Sequence, residues 1–176
     1  MIIFNRPETT TKVFEAIRNI CPKKLYVASD GVRLGYVGDE EKCKAAREIT
    51  EQIDWPCEVK RFYQEQNLGC SKGPIFALNW FFSFEEEGII LEDDCLPDNS
   101  FFYYCQELLI KYNYYSEIYY ISGNCRINKN IANKFQESYQ FVRTAGIWGW
   151  ATWKRAWKNY QNIIEINNTN YKKIQT

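Results

Sequence analysis

The chain has 176 residues, enough for one domain to bury a core without disulfide help, and its 22 acidic residues balance its 22 basic ones. That balance excludes a basic field for nucleic acid or anionic membrane, so any anionic ligand has to be held locally. With no histidine in the chain, the zinc hydrolase motifs, the Ser-His-Asp triad and the Cys-His dyad are excluded outright.

Aromatic residues are plentiful, with 13 Tyr, 11 Phe and 6 Trp, more than a core of this size takes, which assigns some of them to a binding surface. The seven cysteines are odd in number and lack CxxC spacing, a pattern that fits reduced thiols in a cytosolic protein better than a disulfide framework. No apolar run approaches a membrane span, and the opening Met1–Asn5 is too short to read as a signal peptide. The expectation is a cytoplasmic protein without an integral membrane segment, free to associate peripherally with the inner face of the membrane. The opening strand and the polar ending NNTNYKKIQT also raise the expectation of a fragment.

In chain order, IIFN reads as a strand, and RPETT leads to a helix from about Thr10 to Ile20 with Val13, Phe14, Ile17 and Ile20 in one stripe. LYVAS, Leu25 to Ser29, is the second strand, ended by Asp30 and Gly31. A charged helix from about Asp39 to Ile53 carries Cys43, Ala46, Ile49 and Ile53 on one face, and CEVKRFY is the third strand. A helix from Cys70 to Phe84 has Ile75, Leu78 and Phe82 in register. GIIL is the fourth strand, and a helix capped by Asn99 or Ser100 runs to about Tyr112. Further strands are predicted at about Ile118–Ser122 and Tyr139–Thr144. Four strand-helix pairs in series predict an α/β fold, with a mostly parallel central sheet and helices on both faces. Ligands of such a sheet bind outside the carboxyl ends of its strands.

Four groups of polar residues are expected there: Asn5 and Arg6, Asp30 and Gly31, Asn67 with Gly69, and Glu92, Asp93 and Asp94. The last follow a buried strand in GIILEDDCLPDNSFF, Gly88–Phe102. Adjacent carboxylates repel, and burying them unpaired is costly or raises their pKa values, so the run calls for a cation. Mg²⁺ and Mn²⁺ take oxygen ligands and are often held by one or two carboxylates plus substrate phosphate. Read blandly, the acids are a solvated loop or part of the next helix's cap. NLGCSKG, Asn67–Gly73, puts Gly69 and Lys72 around a helix start, where free N–H groups favour an anion, although a plain turn fits it equally. It is neither a Walker A loop nor a GxGxxG fingerprint. In TAGIWGWATWKRAW, Trp148 and Trp150 flank Gly149 and read as site residues whose faces suit sugar rings. Trp153 and Trp157, spaced i, i+4 on a predicted helix, read as core. Arg6 and Lys72 read equally well as surface bases, and Asp30–Gly31 as a turn.

Taken together, FNRPETT, ASDG, QNLGCSKG, GIILEDDCLPDNSFF, ISGN and WGWATW resemble the GT-A class of nucleotide-sugar glycosyltransferases over about Ile2 to Trp157. The likeness is to bacterial sugar transferases of surface-polysaccharide loci and, more distantly, to N-acetylglucosaminyltransferase I. It implies a Rossmann-like GT-A domain over residues 1–160 with a polar tail at 161–176. It implies an enzyme that moves a sugar from a nucleotide-diphosphate donor, a uridine one, to a glycan or glycolipid acceptor. By the same likeness Asp94 ligates a divalent Mn²⁺ or Mg²⁺, and Asp93 and Asp94 are the catalytic candidates. Donor binding falls to Asn5, Arg6, Asp30, Asn67, Gly69, Lys72, Glu92 and Asp93, and sugar or acceptor contact to Trp148, Gly149 and Trp150.

The sequence also departs from the pattern. Related inverting enzymes often supply an acceptor base just after the aromatic segment, yet no Asp or Glu lies between Trp148 and Tyr160; the first downstream is Glu165. The histidine that often completes the metal shell is absent. The base is therefore unassigned, and inversion and retention stay open. The alternative function is a truncated or degenerate GT-A domain that binds nucleotide-sugar without turnover. A nucleotidyltransferase fits less well, because FNRPETT lacks a glycine-rich loop after the first strand.

Overall fold

A computed structural model describes residues 1–124, 136–144 and 146–163. The chain runs β1 (Ile2–Ile3), α1 (Pro7–Ile20), β2 (Lys24–Ser29), α2 (Asp39–Ile49), β3 (Glu58–Tyr63) and α3 (Gly69–Phe81). It continues through β4 (Glu87–Ile90), α4 (Asn99–Lys111), β5 (Tyr120–Ser122) and β6 (Trp150–Trp153) to α5, helical over 154–163.

Strands β1, β2 and β3 form a parallel sheet in that order, with Ile2 opposite Ala28 and Lys24 opposite Glu58. Strands β4, β6 and β5 form a second sheet in which β6 runs antiparallel to both neighbours. A parallel bridge between Ile2 and Glu92, with Ile2 N–H donating to the Leu91 carbonyl at 2.8 Å, joins the two. The strands thus lie side by side in the order 3-2-1-4-6-5.

The period-2 alternation of the strands sorts their side chains into two layers. Ile3, Leu25, Val27 and Leu91 bury against Val13, Phe14 and Ile17 of α1. Ile2 and Ile90 pack with Leu78 of α3, Phe82 at its C-terminal cap and Trp157 of α5. Under β5 and β6, Cys105, Leu108 and Leu109 of α4 meet Ile121, Ala151 and Trp153.

Most boundaries match the periodicity, with instructive exceptions. Helix α1 starts at Pro7, whose ring presets φ at the first helical position and whose missing N–H is no loss there. The cap of α4 is Asp98, accepting from Ser100 N–H at 2.9 Å, rather than Asn99 or Ser100. Helices α2 and α3 stop short of Ile53 and Phe84. Residues 139–144 form no strand; the sixth strand lies further on, at Trp150–Trp153. Trp153 therefore closes a strand and Trp157 lies on α5, so the i, i+4 spacing is not one helical face, although both rings are buried. Thr-, Trp- and Ala-rich runs satisfy either period when short, and here pairing with β4 decides. The expected parallel arrangement holds through β1, β2, β3 and the bridge to β4, while β6 runs antiparallel to β4 and β5.

Trp153 is 1% exposed and its indole N–H donates to the Leu109 carbonyl at 3.3 Å, tying β6 to α4. Trp153→Ala empties that contact, and chemical denaturation should show a loss of about 3–5 kcal/mol with the fold retained.

Candidate functional site

Because β1, β2 and β3 are parallel and the bridge extends that direction to β4, their carboxyl ends open on one side of the sheet. Residues 4–6, 29–31, 64–69 and 92–94 gather there. The centre of the group is ionic. Arg6 Nη1 donates to Asp93 Oδ1 at 3.0 Å and to Asp94 Oδ2 at 2.6 Å, while the Phe4 N–H donates to Asp93 Oδ2 at 2.9 Å. Asp93 is thus held on both oxygens, with its side chain 6% exposed against 37% for Asp94 and 54% for Arg6. The positive partner that the acidic run calls for is partly supplied by the chain itself.

One guanidinium against three carboxylates leaves the corner negative. Burial pushes the Asp93 carboxyl above its ordinary value, opposed by the Phe4 N–H and by Arg6, with Asp94 adding to the rise. Glu92 is raised as well, first by burial and then by repulsion from Asp94 and Asp93.

Asn5 does not join this cluster. Its amide donates to Asp39 Oδ1 at 2.6 Å, and Asp39, buried at the start of α2, is paired with Arg33 at 2.8 Å. The Arg33 guanidinium holds the Asp39 carboxyl well below the usual carboxylate range. The same guanidinium lies 4.1 Å from the Tyr36 ring centre and 5.3 Å from that of Phe4. Arg33, Tyr36 and Asp39 escaped the sequence reading. Asp39 looked like an ordinary first-turn acid, and only its burial separates it from Glu40 and Glu41.

The second strand's exit is closed by backbone bonding. Asp30 accepts from the N–H groups of Gly31 at 2.9 Å, Leu68 at 2.8 Å and Gly69 at 3.0 Å. The amide of Asn67 donates to the Gly31 carbonyl at 2.8 Å. A Cβ on Gly31 would stand 2.4 Å from the Gln66 carbonyl carbon, so only glycine permits the loops to meet. The anion at the start of α3 is thus Asp30 itself, in the capping geometry that helix N-termini favour. Lys72 is exposed in the first turn of α3.

Further along the chain, the aromatic segment returns beside the acids. Trp150 pairs with Ile90 and Ser122, so Gly149 and Trp148 continue alongside Leu91 and Glu92. Gly149 has φ of +69°, its carbonyl accepts from Gly123 N–H at 2.9 Å, and Ser122 Oγ donates to the Gly146 carbonyl at 2.7 Å. The ISGN segment therefore fixes the turn that leaves Trp148 53% exposed. The structure brings Arg6, Glu92, Asp93, Asp94 and Trp148–Trp150 to one corner, with Asp30, Asn67 and Gly69 forming a neighbouring brace.

Among the described residues, no group of three or more Cys, Asp or Glu side chains is arranged to hold a metal. With Asp93 bonded on both oxygens and Asp94 Oδ2 on Arg6, the carboxylate oxygens left at this corner among the described residues are those of Glu92 and Asp94 Oδ1, the latter 3.7 Å from the Cys95 thiol. So few protein oxygens suit a hard divalent ion that takes its other ligands from water or a phosphate, and not a site made of protein ligands alone. No protein-family model matches the chain, and no curated protein matches it.

Removing the guanidinium tests the electrostatics. A buried acid with a raised folded pKa destabilises the fold as pH rises from about 4 through that value. Arg6→Ala should raise Asp93 further and widen this window. Unfolding experiments should find little change at pH 4 and a loss of roughly 1–3 kcal/mol at pH 7, kept moderate by the exposure of Arg6.

Proposed function

We propose that this chain is a GT-A glycosyltransferase domain that takes a sugar from a nucleotide-diphosphate donor, a uridine one, and passes it to a glycan or glycolipid acceptor in surface-polysaccharide synthesis. The observation that carries the reading is the convergence of Arg6, the Glu92–Asp94 acids and the Trp148–Trp150 segment at the carboxyl edge of a 3-2-1-4-6-5 sheet.

The chemistry asks for few parts. The bond from the sugar's anomeric carbon to the diphosphate breaks, and the diphosphate leaves with the electron pair. The acceptor hydroxyl attacks the same carbon and gives up its proton. Asp94, through Oδ1, would hold Mn²⁺ or Mg²⁺ jointly with the diphosphate, and such an ion supplies neutralisation of the charge that builds on the leaving oxygen. Asp93 keeps Arg6 and the end of β1 in register, and Arg6 supplies a second positive charge at a place that needs no rearrangement. The exposed face of Trp148 would present apolar area to a sugar ring, while Trp150 packs against Leu78, Phe82, Ile90 and Trp157 and fixes the turn that carries it. Glu92 stands at the same corner and would face the donor ribose or sugar. Asn5, Asp30 and Asn67 shape the nucleotide end of the site.

A second reading has an observation of its own. With no Asp or Glu between Trp148 and Tyr160, no acceptor base adjoins the aromatic segment, which favours a domain that binds nucleotide-sugar without turning it over. No helix among the described residues is long and apolar enough to cross a membrane, which accords with peripheral access to a lipid-linked acceptor.

Titration of UDP with and without Mn²⁺ tests the assignment. Affinity should rise at least about tenfold with the metal, a change of 1.4 kcal/mol, and Asp94→Ala should abolish the increment. Metal-independent binding, or an unaltered increment in Asp94→Ala, contradicts it. Release of free sugar from UDP-sugars in the same samples separates an enzyme from a binder.

A further inference from the structure

Arg6 does more at the candidate corner than the fold asks of it. Its backbone is set on both sides: the Phe4 N–H is tied to Asp93 Oδ2, and the Arg6 carbonyl accepts from Thr10 N–H at 2.9 Å in the first turn of α1. Pro7 keeps the residue before it out of the helical region, and Arg6 accordingly has φ of −121° and ψ of 71°. The side chain therefore starts from a fixed point and reaches the acids with a single nitrogen. Nη1 donates both bonds, to Asp93 Oδ1 at 3.0 Å and to Asp94 Oδ2 at 2.6 Å. Among the described residues, Nε and Nη2 donate to no protein group.

Stability accounts for one of those bonds. The Asp93 side chain is 6% exposed, and leaving either of its oxygens without a donor is costly. Asp94 is 37% exposed, so water serves its carboxylate and an ion pair with the half-exposed Arg6 adds little to the fold. Yet the bond to Asp94 is the shorter of the two. Arg6 thus occupies an oxygen of the acid assigned to the divalent ion, where the fold has no need of it. We propose that Arg6, by holding Asp94 Oδ2, makes the uptake of Mn²⁺ or Mg²⁺ at this corner conditional on a diphosphate. The inference rests on the nucleotide-sugar reading of the same corner and adds the order in which its ligands are accepted.

The electrostatics follow from the contacts. A divalent ion arriving alone finds Asp94 Oδ2 taken and a guanidinium beside Oδ1. Two positive charges at such close range repel, and a hard ion held by so few protein oxygens is held weakly. A diphosphate reverses both effects. Some of its oxygens would complete the shell of the ion, and others would accept from Nε and Nη2, which form one edge of the guanidinium and match a phosphate group as a pair. Nη1 stays on Asp93 throughout, so the buried acid keeps its donor. Arg6 and the ion, which repel one another when alone, then share one anion. The ion and the diphosphate strengthen each other's binding, by the same factor in either order of addition.

The test is a Mn²⁺ titration of the full chain with and without UDP, read from the paramagnetic resonance of free Mn²⁺, which falls as the ion is bound. Wild type should bind Mn²⁺ at least about tenfold more tightly with UDP than without it. Without UDP, Arg6→Gln should bind Mn²⁺ at least about tenfold more tightly than wild type, and UDP should then add less than about threefold. Adding Asp94→Ala to Arg6→Gln should cancel that gain. Adding Asp93→Asn instead removes the buried charge that would destabilise the single variant and restores the net charge of the wild-type corner, while Asp94 stays free; at least about threefold of the gain should remain. Without UDP, Mn²⁺ affinity equal to wild type in Arg6→Gln, or a gain that vanishes with Asp93→Asn, would overturn the proposal and leave the nucleotide-sugar reading standing where UDP still strengthens Mn²⁺ binding to wild type. No strengthening by UDP in wild type would overturn both.

Discussion

The Asp93 carboxylate links two distant parts of the chain, and the geometry of the candidate site depends on that link. One oxygen takes the Phe4 N–H where β1 ends, and the other takes Arg6. A buried acid so placed is stable only while both donors stay, so the exits of β1 and β4 cannot drift apart without exposing an unpaired charge. Arg6 in turn reaches Asp94 Oδ2 and orients that carboxylate. The aromatic turn is carried to the same place by β6, through the pairing of Trp150 with Ile90. Ionic and strand contacts thus assemble a corner from residues 4–6, 92–94 and 148–150.

Much of this was legible in the sequence, for identifiable reasons. Buried strands such as LYVAS and GIIL, and helices with a clear apolar stripe, depend on local periodicity, so β2, β4 and α1 were placed to within a few residues. The acidic run followed a strand and had to lie at its carboxyl end. Partnership was harder to read. Nothing local tells that Arg6, 87 positions away from Asp93, supplies its counter-charge, or that Asp30 fills the helix start at Gly69. Those pairings depend on which strands become neighbours. The WATW segment was misassigned for the same reason, since four residues satisfy a helix or a strand and the edge of β4 makes the choice.

The two ends of β1 differ in kind. At its carboxyl end the sheet gathers polar groups that bond to one another and to backbone, leaving a net negative corner with an exposed indole beside it. At its amino end the sheet lines an apolar cavity of about 290 Å³, with Glu85 bonded to Lys24 and Tyr26 at its rim. Only two residues of regular strand separate them.

The central claim is that Asp94 keeps one oxygen for a divalent ion that arrives with a diphosphate, while Asp93 stays engaged with Arg6. The direct measurement is a crystal of the chain grown with Mn²⁺, with and without UDP, mapped at the manganese absorption edge. The account predicts an anomalous peak in contact with Asp94 Oδ1 only when UDP is present, with the Asp93–Arg6 pair intact. A peak held by Asp93 instead, or UDP bound in that corner with no manganese beside Asp94, would contradict it.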